Sequence, residues 1–431
     1  MTSNDDKTAR LTIAQDRPLI RSRWHSARFV VARVTAPEAE ANTARPAVNL
    51  AFVIDRSGSM ANGRLSLALQ AVQEAIGRLK SQDRFSVVVY DNEIETVVPA
   101  TSATPSAKAA AVEHLRTVHP RGSTNLGGGW LKGCEHVAAE LMEEGVNRVL
   151  LLTDGLANQG ITDPDELARH AAELRKRGVS TSAFGVGDHF NEVLLQGMSQ
   201  AGGGQFYDIA TAEQIRDHIE SEVGETLEVV ARDVRLDIMF PKGTRFESLG
   251  AFQARVAGDR AIVDLGDLVS GQEVEVPLRF SFPIGAEGES ITAMFGLADK
   301  GGVFQGATGR ASFEFGDDHA NDIQPRVTEV DRVVAEVYAA RARQRAVELN
   351  RRGDFDGARE ALRSTARRIR MYVADDPVLL GLMEQLVRES EMFHRVMAER
   401  SRKEHYAMSH RRLRSRDFEG KALKRAPDAL R

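Results

Sequence analysis

Three short segments of the chain carry oxygen-bearing side chains that could hold a metal ion. Residues 55–59 read D-R-S-G-S, residues 122–125 read G-S-T-N, and residues 153–155 read T-D-G. Carboxylate and hydroxyl oxygens are the ligands of hard divalent cations such as Mg²⁺ and Mn²⁺, whereas Zn²⁺ prefers the His and Cys side chains that these segments lack. We therefore expect Mg²⁺ or Mn²⁺ here, with Ca²⁺ as a further alternative.

Apolar runs precede two of these segments. Residues 48–54 and 148–153 are rich in Val, Leu and Ile, as expected for strands that are buried on both faces of a parallel sheet. In open α/β sheets, ligands bind beyond the carboxyl ends of the strands. The carboxylates of Asp55 and Asp154 are therefore predicted to meet at one edge of the sheet, beside the hydroxyl groups of the same loops.

The order D-x-S-x-S, then a threonine, then T-D-G resembles the metal-ion-dependent adhesion site of the von Willebrand factor A (VWA) family. Within that family, the chain is similar to bacterial VWA proteins and to the inter-α-trypsin-inhibitor and chloride-channel-like group. The resemblance implies that the two serines and the threonine coordinate the ion directly, and that the aspartates do so directly or through water. It also leaves one coordination position for a carboxylate from a partner. The implied ligands are Asp55, Ser57, Ser59, Thr124 and Asp154.

The loops around the predicted metal are expected to choose the partner. Met60 is a candidate exposed apolar contact, and Arg121 is a candidate pair for an acidic group of the partner. For each such residue, ordinary packing within the loop is the competing interpretation. The rim candidates are Arg56, Met60, His119, Arg121, Asn125, Asn158, Asp188 and His189.

Hydrophobic periodicity places these motifs in an α/β domain. Residues 47–225 alternate between strand-like and helix-like segments, which predicts a doubly wound, mainly parallel sheet with helices on both faces, the Rossmann-like VWA fold. The family resemblance implies that the short strand 94–98 is an antiparallel edge. Cys134 is predicted to be a buried small residue on a helix of this domain, although a reactive thiol is the alternative.

The remaining segments predict other architectures. Residues 226–316 contain strands with period two, typical of an antiparallel β-sandwich, and the strands of residues 1–46 are expected to join it. Residues 325–410 are predicted to be helical, either as a bundle that packs on the sandwich or as a hairpin like that of tetratricopeptide repeats. Residues 415–431 are predicted to be a disordered tail.

Composition sets limits on the kind of protein. A chain of 431 residues with 42% apolar and 28% charged residues is typical of a globular protein of two to three domains. Its single cysteine excludes an internal disulfide framework and favours a reducing compartment. The start is polar and acidic, unlike a signal peptide, and there is no run of about 18 apolar residues that could cross a bilayer. We therefore expect a cytoplasmic location.

Charge is distributed unevenly along the chain. From Arg341 to the end there are 23 Lys and Arg against 14 Asp and Glu, whereas the whole chain has a net charge of −5. This basic excess raises the possibility of an acidic or nucleic-acid partner. Because the basic residues are interleaved with acids and few aromatics accompany them, a solvated helical surface is favoured, and no specific nucleic acid is expected.

These observations predict an adaptor or scaffold that binds an Asp or Glu of another protein through a divalent metal, and not an enzyme. A metal-assisted hydrolase is one alternative, but the chain has no Walker A loop, no G-x-S-x-G motif and no complete G-x-G-x-x-G motif. A second alternative is an accessory subunit of an ATPase-driven remodelling or chelatase-like complex, with the ATPase on a separate polypeptide. A third is a regulator of ion channels.

Overall fold

The chain forms two compact units in the computed structural model, which describes residues 9–39, 45–373, 375–417 and 419–424. One unit comprises residues 40–229, and the other combines residues 1–39 with residues 230–431. The first unit is therefore an insertion into the chain of the second. The N-terminal strands belong to the interrupted unit and are β1 (Arg10–Gln15), β2 (Leu19–Arg21) and β3 (Ser26–Thr35).

The inserted unit is built on one six-stranded sheet. Its strands are β4 (Val48–Asp55), β5 (Arg84–Tyr90), β6 (Ile94–Ser102), β7 (Val146–Thr153), β8 (Ser180–Val186) and β9 (Gly203–Ile209). They lie in the order β6-β5-β4-β7-β8-β9, and all neighbours are parallel except β5 and β6. This confirms the predicted α/β class, with an antiparallel strand at one edge. Every residue of β4 and β7 is buried, as their apolar runs predict for central strands.

Six α-helices accompany the strands within residues 45–229, the described part of this unit. They are α1 (Arg64–Arg78), α2 (Pro105–Leu115), α3 (Leu126–Ala139), α4 (Pro164–Lys176), α5 (Glu192–Ala201) and α6 (Ile215–Leu227). Helix α3 lies against the sheet closely enough that glycine is needed in the contact. A Cβ atom on Gly133 would lie 2.3 Å from Cγ2 of Val53. Cys134 follows in the same buried layer, as predicted, and burial raises the pKa of its thiol well above the usual range.

The second unit contains two sheets that face each other. Its later strands are β10 (Val229–Met239), β11 (Arg245–Ser248), β12 (Gln253–Ala257), β13 (Arg260–Val269), β14 (Glu273–Phe282), β15 (Ser290–Ala298) and β16 (Thr308–Gly316). One sheet has the order β1-β3-β14-β11 and the other β12-β13-β10-β15-β16-β2. The N-terminal strands thus contribute to both sheets. Alternate residues of the two sheets form one apolar core, which includes Val34, Leu278, Leu236 and Phe313.

Helices follow the sandwich in the same unit. They are α7 (Asp318–Ile323), α8 (Thr328–Arg351), α9 (Phe355–Arg370), α10 (Pro377–Met392) and α11 (Glu399–Leu413). Helix α8 has two apolar faces. Val330 and Val334 pack with Val31 of the sandwich, whereas Ala339 and Ala346 pack in a separate core with α9 and α10. Helix α8 therefore links the helical region to the sheet.

The end of the described chain differs from the predicted disorder of residues 415–431. Arg416 forms a β-bridge with Ala422, and Lys424 forms one with Gln272. The backbone N–H of Glu273, the first residue of β14, also donates to the carbonyl of Leu423 at 2.7 Å. Composition gives no sign of this pairing because it depends on a distant strand. Residues 418 and 425–431 lie outside the described residues.

No helix in the described part of the chain is both long enough and apolar enough to span a membrane.

We expect Gly133→Ala to destabilise the inserted unit by about 1–3 kcal/mol, because the added methyl group overpacks the contact with Val53. Gly77→Ala is the matched control, since no atom lies within 4 Å of a Cβ placed there on α1. That change should be neutral or stabilising by up to about 1 kcal/mol, because alanine favours helix more than glycine does. Urea unfolding of both variants measures the difference, and equal effects would contradict the close-packing argument.

Candidate metal site

The central strands bring two aspartates to one edge of the sheet. Strands β4 and β7 are parallel neighbours in which Ile54 pairs with Leu152, so Asp55 and Asp154 emerge together where the strands end. The hydroxyl of Thr153 donates to Oδ2 of Asp55 at 2.6 Å and so joins the two strand ends directly. The carboxylates therefore meet where the apolar runs predict them.

The loop after β4 folds its hydroxyl groups toward these carboxylates. The backbone N–H of Ser57 donates to Oδ1 of Asp55 at 2.8 Å, and residues Gly58–Met60 form a 3₁₀ turn. This turn places the hydroxyl oxygens of Ser57 and Ser59 3.0 Å apart. Ser59 then donates to Oδ1 of Asp154 at 2.6 Å. Hydrogen bonds thus connect four of the five predicted ligands.

Thr124 reaches the same place from another loop. A Cβ atom built on Gly155 would lie 3.4 Å from Oγ1 of Thr124 and 3.8 Å from Oγ of Ser59. The two hydroxyl groups therefore border one small space beside Gly155. The backbone N–H of Thr124 donates to Oδ1 of Asn158 at 3.1 Å, which ties this loop to the loop after β7.

Backbone hydrogen bonds hold the first two loops together. The N–H of Gly58 donates to the carbonyl of Gly122 at 3.1 Å, and the N–H of Arg121 donates to the carbonyl of Arg56 at 2.8 Å. Gly122 has a φ of +70°, and a Cβ atom there would lie 2.1 Å from Oδ1 of Asn92. The positive φ favours glycine at this position, and glycine lets the loop of Thr124 approach residues 56–59, here called the serine loop.

Among the described residues, no positively charged group hydrogen-bonds to the buried carboxylate of Asp55. Asp55 and Asp154 are both fully buried. Burial raises the pKa of Asp55 to about 6, against the opposing hydrogen bonds from Ser57 and Thr153, and the charge of Asp154 raises it further. The groups that hydrogen-bond to Asp55 are neutral, so its negative charge is stabilised by dipoles alone.

The donor set fits a hard divalent cation. Two carboxylates and three hydroxyl groups provide only oxygen, which suits Mg²⁺ or Mn²⁺. The hydroxyl oxygens of Thr124 and Ser59 both lie near Gly155, so ligands from two loops are close to each other. Within residues 9–39, 45–373, 375–417 and 419–424, no three His, Cys, Asp or Glu side chains form a cluster that could hold a metal. A zinc-type site is therefore not found in that part of the chain.

Two of the predicted rim residues face inward. Met60 is fully buried, which corrects the expectation of an exposed apolar contact, because the 3₁₀ turn directs its side chain into the domain. Arg56 is also buried, and its guanidinium donates to Asp91 at 3.0 Å and to Glu95 at 2.7 Å. These two side chains support the loop and do not offer a surface to a partner.

Arg121 is exposed, but its guanidinium is bound within the domain. It donates to Asp91 at 2.7 Å and to Glu93 at 2.6 Å. Burial acts to raise the pKa of Asp91, but hydrogen bonds from Glu93 and Arg121 and the charges of Arg56 and Arg121 outweigh it, so that the pKa is lowered. Arg121 therefore pairs with acidic groups of its own domain, whereas we expected it to pair with an acidic group of a partner.

Of the other rim candidates, one caps a helix and the rest are exposed. Asn125 caps α3 by accepting a hydrogen bond from the N–H of Gly128, and Asn158 is exposed. His119, Asp188 and His189 are exposed. His119 also lines a cleft of about 650 Å³ between α1 and the end of α2. Met60, the residue after Ser59, lines the same cleft.

Three residues of the site were not predicted. Thr153 was noted only as part of the T-D-G motif, although its hydroxyl holds Asp55. Asp91 directly follows β5, so a search for acids at all strand ends would find it. Arg64 lies at the start of α1 and donates to Oδ2 of Asp154 at 2.6 Å, and no pattern in the sequence signals this pair.

Comparison with known proteins identifies the domain. The family model of the von Willebrand factor type A domain matches residues 49–221. The uncharacterized protein YfbK of Escherichia coli (strain K12) is 31% identical over 253 residues, which are 57% of this chain and 43% of YfbK. The chain thus spans less than half the length of this relative.

Solved structures extend the likeness of the fold beyond that domain. The structure of a von Willebrand factor type A protein from Catenulispora acidiphila has a TM-score of 0.72 at 18% identity, and that of the ArnB paralog VWA2 from Sulfolobus acidocaldarius has a TM-score of 0.62 at 16% identity. Each match covers 94% of this chain and 98% of the other. At these identities the likeness is one of fold alone.

The raised pKa of Asp55 predicts a pH dependence of the metal-free protein. Because the folded-state pKa of about 6 exceeds the ordinary 3.8, the folded state binds the proton more tightly than the unfolded state does. Stability from this group is therefore present at low pH and is lost as the pH rises to about 6. Between pH 4.5 and 7.5, wild type should lose about 2 kcal/mol relative to Asp55→Asn. Urea unfolding in EDTA tests this, and parallel pH profiles would contradict it.

Proposed function

Residues 49–221 are a von Willebrand factor type A (VWA) domain, and from this premise we propose that the chain is a metal-dependent protein-binding protein. VWA domains commonly interact with other proteins. In this proposal, Asp55, Ser57, Ser59, Thr124 and Asp154 hold Mg²⁺ or Mn²⁺, and the ion binds an Asp or Glu side chain of a partner.

The observation that carries the proposal is the convergence of five oxygen-bearing side chains from three loops at one sheet edge. Hydrogen bonds of 2.6–3.0 Å link the residues of the serine loop to both aspartates, and Thr124 faces the same space beside Gly155. Backbone hydrogen bonds between the loops hold this arrangement together.

The chemistry of the ligands favours an acidic partner. A bound divalent cation would supply positive charge beside carboxylates that are already buried. The two aspartates offset the two charges of the ion, and the guanidinium of Arg64, which pairs with Asp154, adds one positive charge. A carboxylate from a partner protein would bring the site to neutrality.

We assign both aspartates to metal binding and to no catalytic step. Both oxygens of Asp55 accept hydrogen bonds, from Ser57 and Thr153. Both oxygens of Asp154 do so as well, from Ser59 and Arg64. A general base needs a carboxylate oxygen directed at the proton that it removes.

We expect Thr124→Val to weaken Mg²⁺ binding roughly 10- to 100-fold, because the change removes one proposed ligand while it keeps the shape of the side chain. Thr117→Val makes the same chemical change at an exposed position outside the site and should leave the affinity unaltered. Isothermal titration with Mg²⁺ and with Mn²⁺ measures both variants. Equal affinities for wild type and Thr124→Val would overturn the assignment of this ligand.

Partner binding should require both the metal and Asp154. Wild type and Asp154→Ala are used to capture proteins from host lysate in Mg²⁺ and in EDTA. A partner retained only by wild type in Mg²⁺, and lost when one of its own Asp or Glu residues is replaced, would support the proposal. A partner retained equally under all conditions would show that other surfaces bind it. Recovery of a separate ATPase would instead favour the accessory-subunit alternative.

A further inference from the structure

The guanidinium of Arg64 lies on a carboxylate that is a proposed metal ligand. Its Nη1 donates to Oδ2 of Asp154 at 2.6 Å and to the backbone carbonyl of Ser59 at 3.3 Å. A Cβ atom on Gly187 would lie 3.4 Å from its Nη2. The group therefore lies close to the loops that follow β4, β7 and β8.

The local backbone fixes this position. Arg64 is the first residue of α1, and the preceding Gly63 has a φ of +91°, which turns the chain sharply after the serine loop. The N–H of Leu67 donates to the carbonyl of Gly63 and closes the first helical turn. The side chain of Arg64 is 33% exposed, so that it faces both the buried carboxylate and the solvent.

A guanidinium at this position has opposite effects on the binding of the cation and on the binding of an acidic partner. Its positive charge repels a divalent cation nearby, and it competes with that cation for Asp154. The same group has donors that suit a carboxylate, and it contacts Asp154, a proposed ligand of the ion that would hold one. It therefore weakens binding of the cation alone and strengthens binding of an acid.

We propose that Arg64 couples the two binding events at this site. Without an acidic partner, its pair with Asp154 lowers the affinity for the divalent cation. When an Asp or Glu of a partner arrives, the guanidinium donates to that carboxylate, and metal and partner stabilise one another. This inference rests on the proposed function and makes Arg64 a positioning residue of the site. Because such coupling is reciprocal, it can be measured from the metal side.

The test measures Mn²⁺ affinity by isothermal titration with and without a carboxylate probe, N-acetyl-glutamate methylamide. In wild type, the probe should raise the affinity for Mn²⁺. Arg64→Gln should bind Mn²⁺ roughly fivefold or more tightly than wild type when no probe is present, and the probe should change its affinity much less. Arg64→Lys keeps the charge and should bind Mn²⁺ nearly as wild type does, with weaker coupling because the planar fork is lost.

Arg78→Gln is the matched control. Arg78 lies at the other end of α1, about 21 Å along the helix axis, and pairs with Glu220. This variant has the same change of net charge and should keep both the affinity and the coupling of wild type. Thermal unfolding of each variant in EDTA verifies that it is folded, so that a change in affinity can be attributed to the site.

The outcomes separate the two proposals. If wild type binds Mn²⁺ and the probe raises its affinity, but Arg64→Gln behaves identically, only the role of Arg64 is overturned. A lower Mn²⁺ affinity in Arg64→Gln also overturns it, because the arginine would then assist the metal. If wild type binds no Mn²⁺ at all, the proposed function fails, and the inference that rests on it fails as well.

Discussion

The burial of negative charge at the carboxyl ends of β4, β5 and β7 is the constraint on which the site depends. Asp55, Asp91 and Asp154 are all fully buried at neighbouring strand ends. Charged groups removed from water must be compensated by hydrogen bonds or by opposite charges. The three aspartates solve this in different ways, and the differences organise the loops around them.

The negative charges of Asp91 and Asp154 are compensated by arginine side chains of the same domain. Asp91 pairs with Arg56 and Arg121, and its pKa is lowered accordingly. Asp154 pairs with Arg64. Asp55 has hydrogen bonds from neutral groups instead, and its pKa is raised by burial. The negative charge that lacks a positive partner in the described part of the chain is therefore that of Asp55, which lies where the hydroxyl groups of the serine loop converge.

Most of the α/β unit and the members of its candidate site could be predicted because they depend on local patterns. The apolar runs fix β4 and β7, and a parallel sheet then brings Asp55 and Asp154 together. The direction of a side chain within a loop was not predictable in the same way. Met60 and Arg56 follow the serine loop's own turn into the interior, and the pair of Arg64 with Asp154 joins residues far apart in sequence. The strand-like pairing of Lys424 with Gln272 was missed for the same reason.

The insertion of the α/β unit has a consequence for the order of synthesis. Strand β3 pairs with β14 along its whole length, and Thr35 lies opposite Glu273. The intervening chain includes the complete inserted unit, so at ordinary rates of translation β3 waits about 10 to 50 seconds for this neighbour. The inserted unit is synthesised first, and its six described strands pair only with one another. The sandwich is therefore the later and slower part to assemble on the ribosome, and during that interval the edge of β3 that β14 will cover is open to other chains.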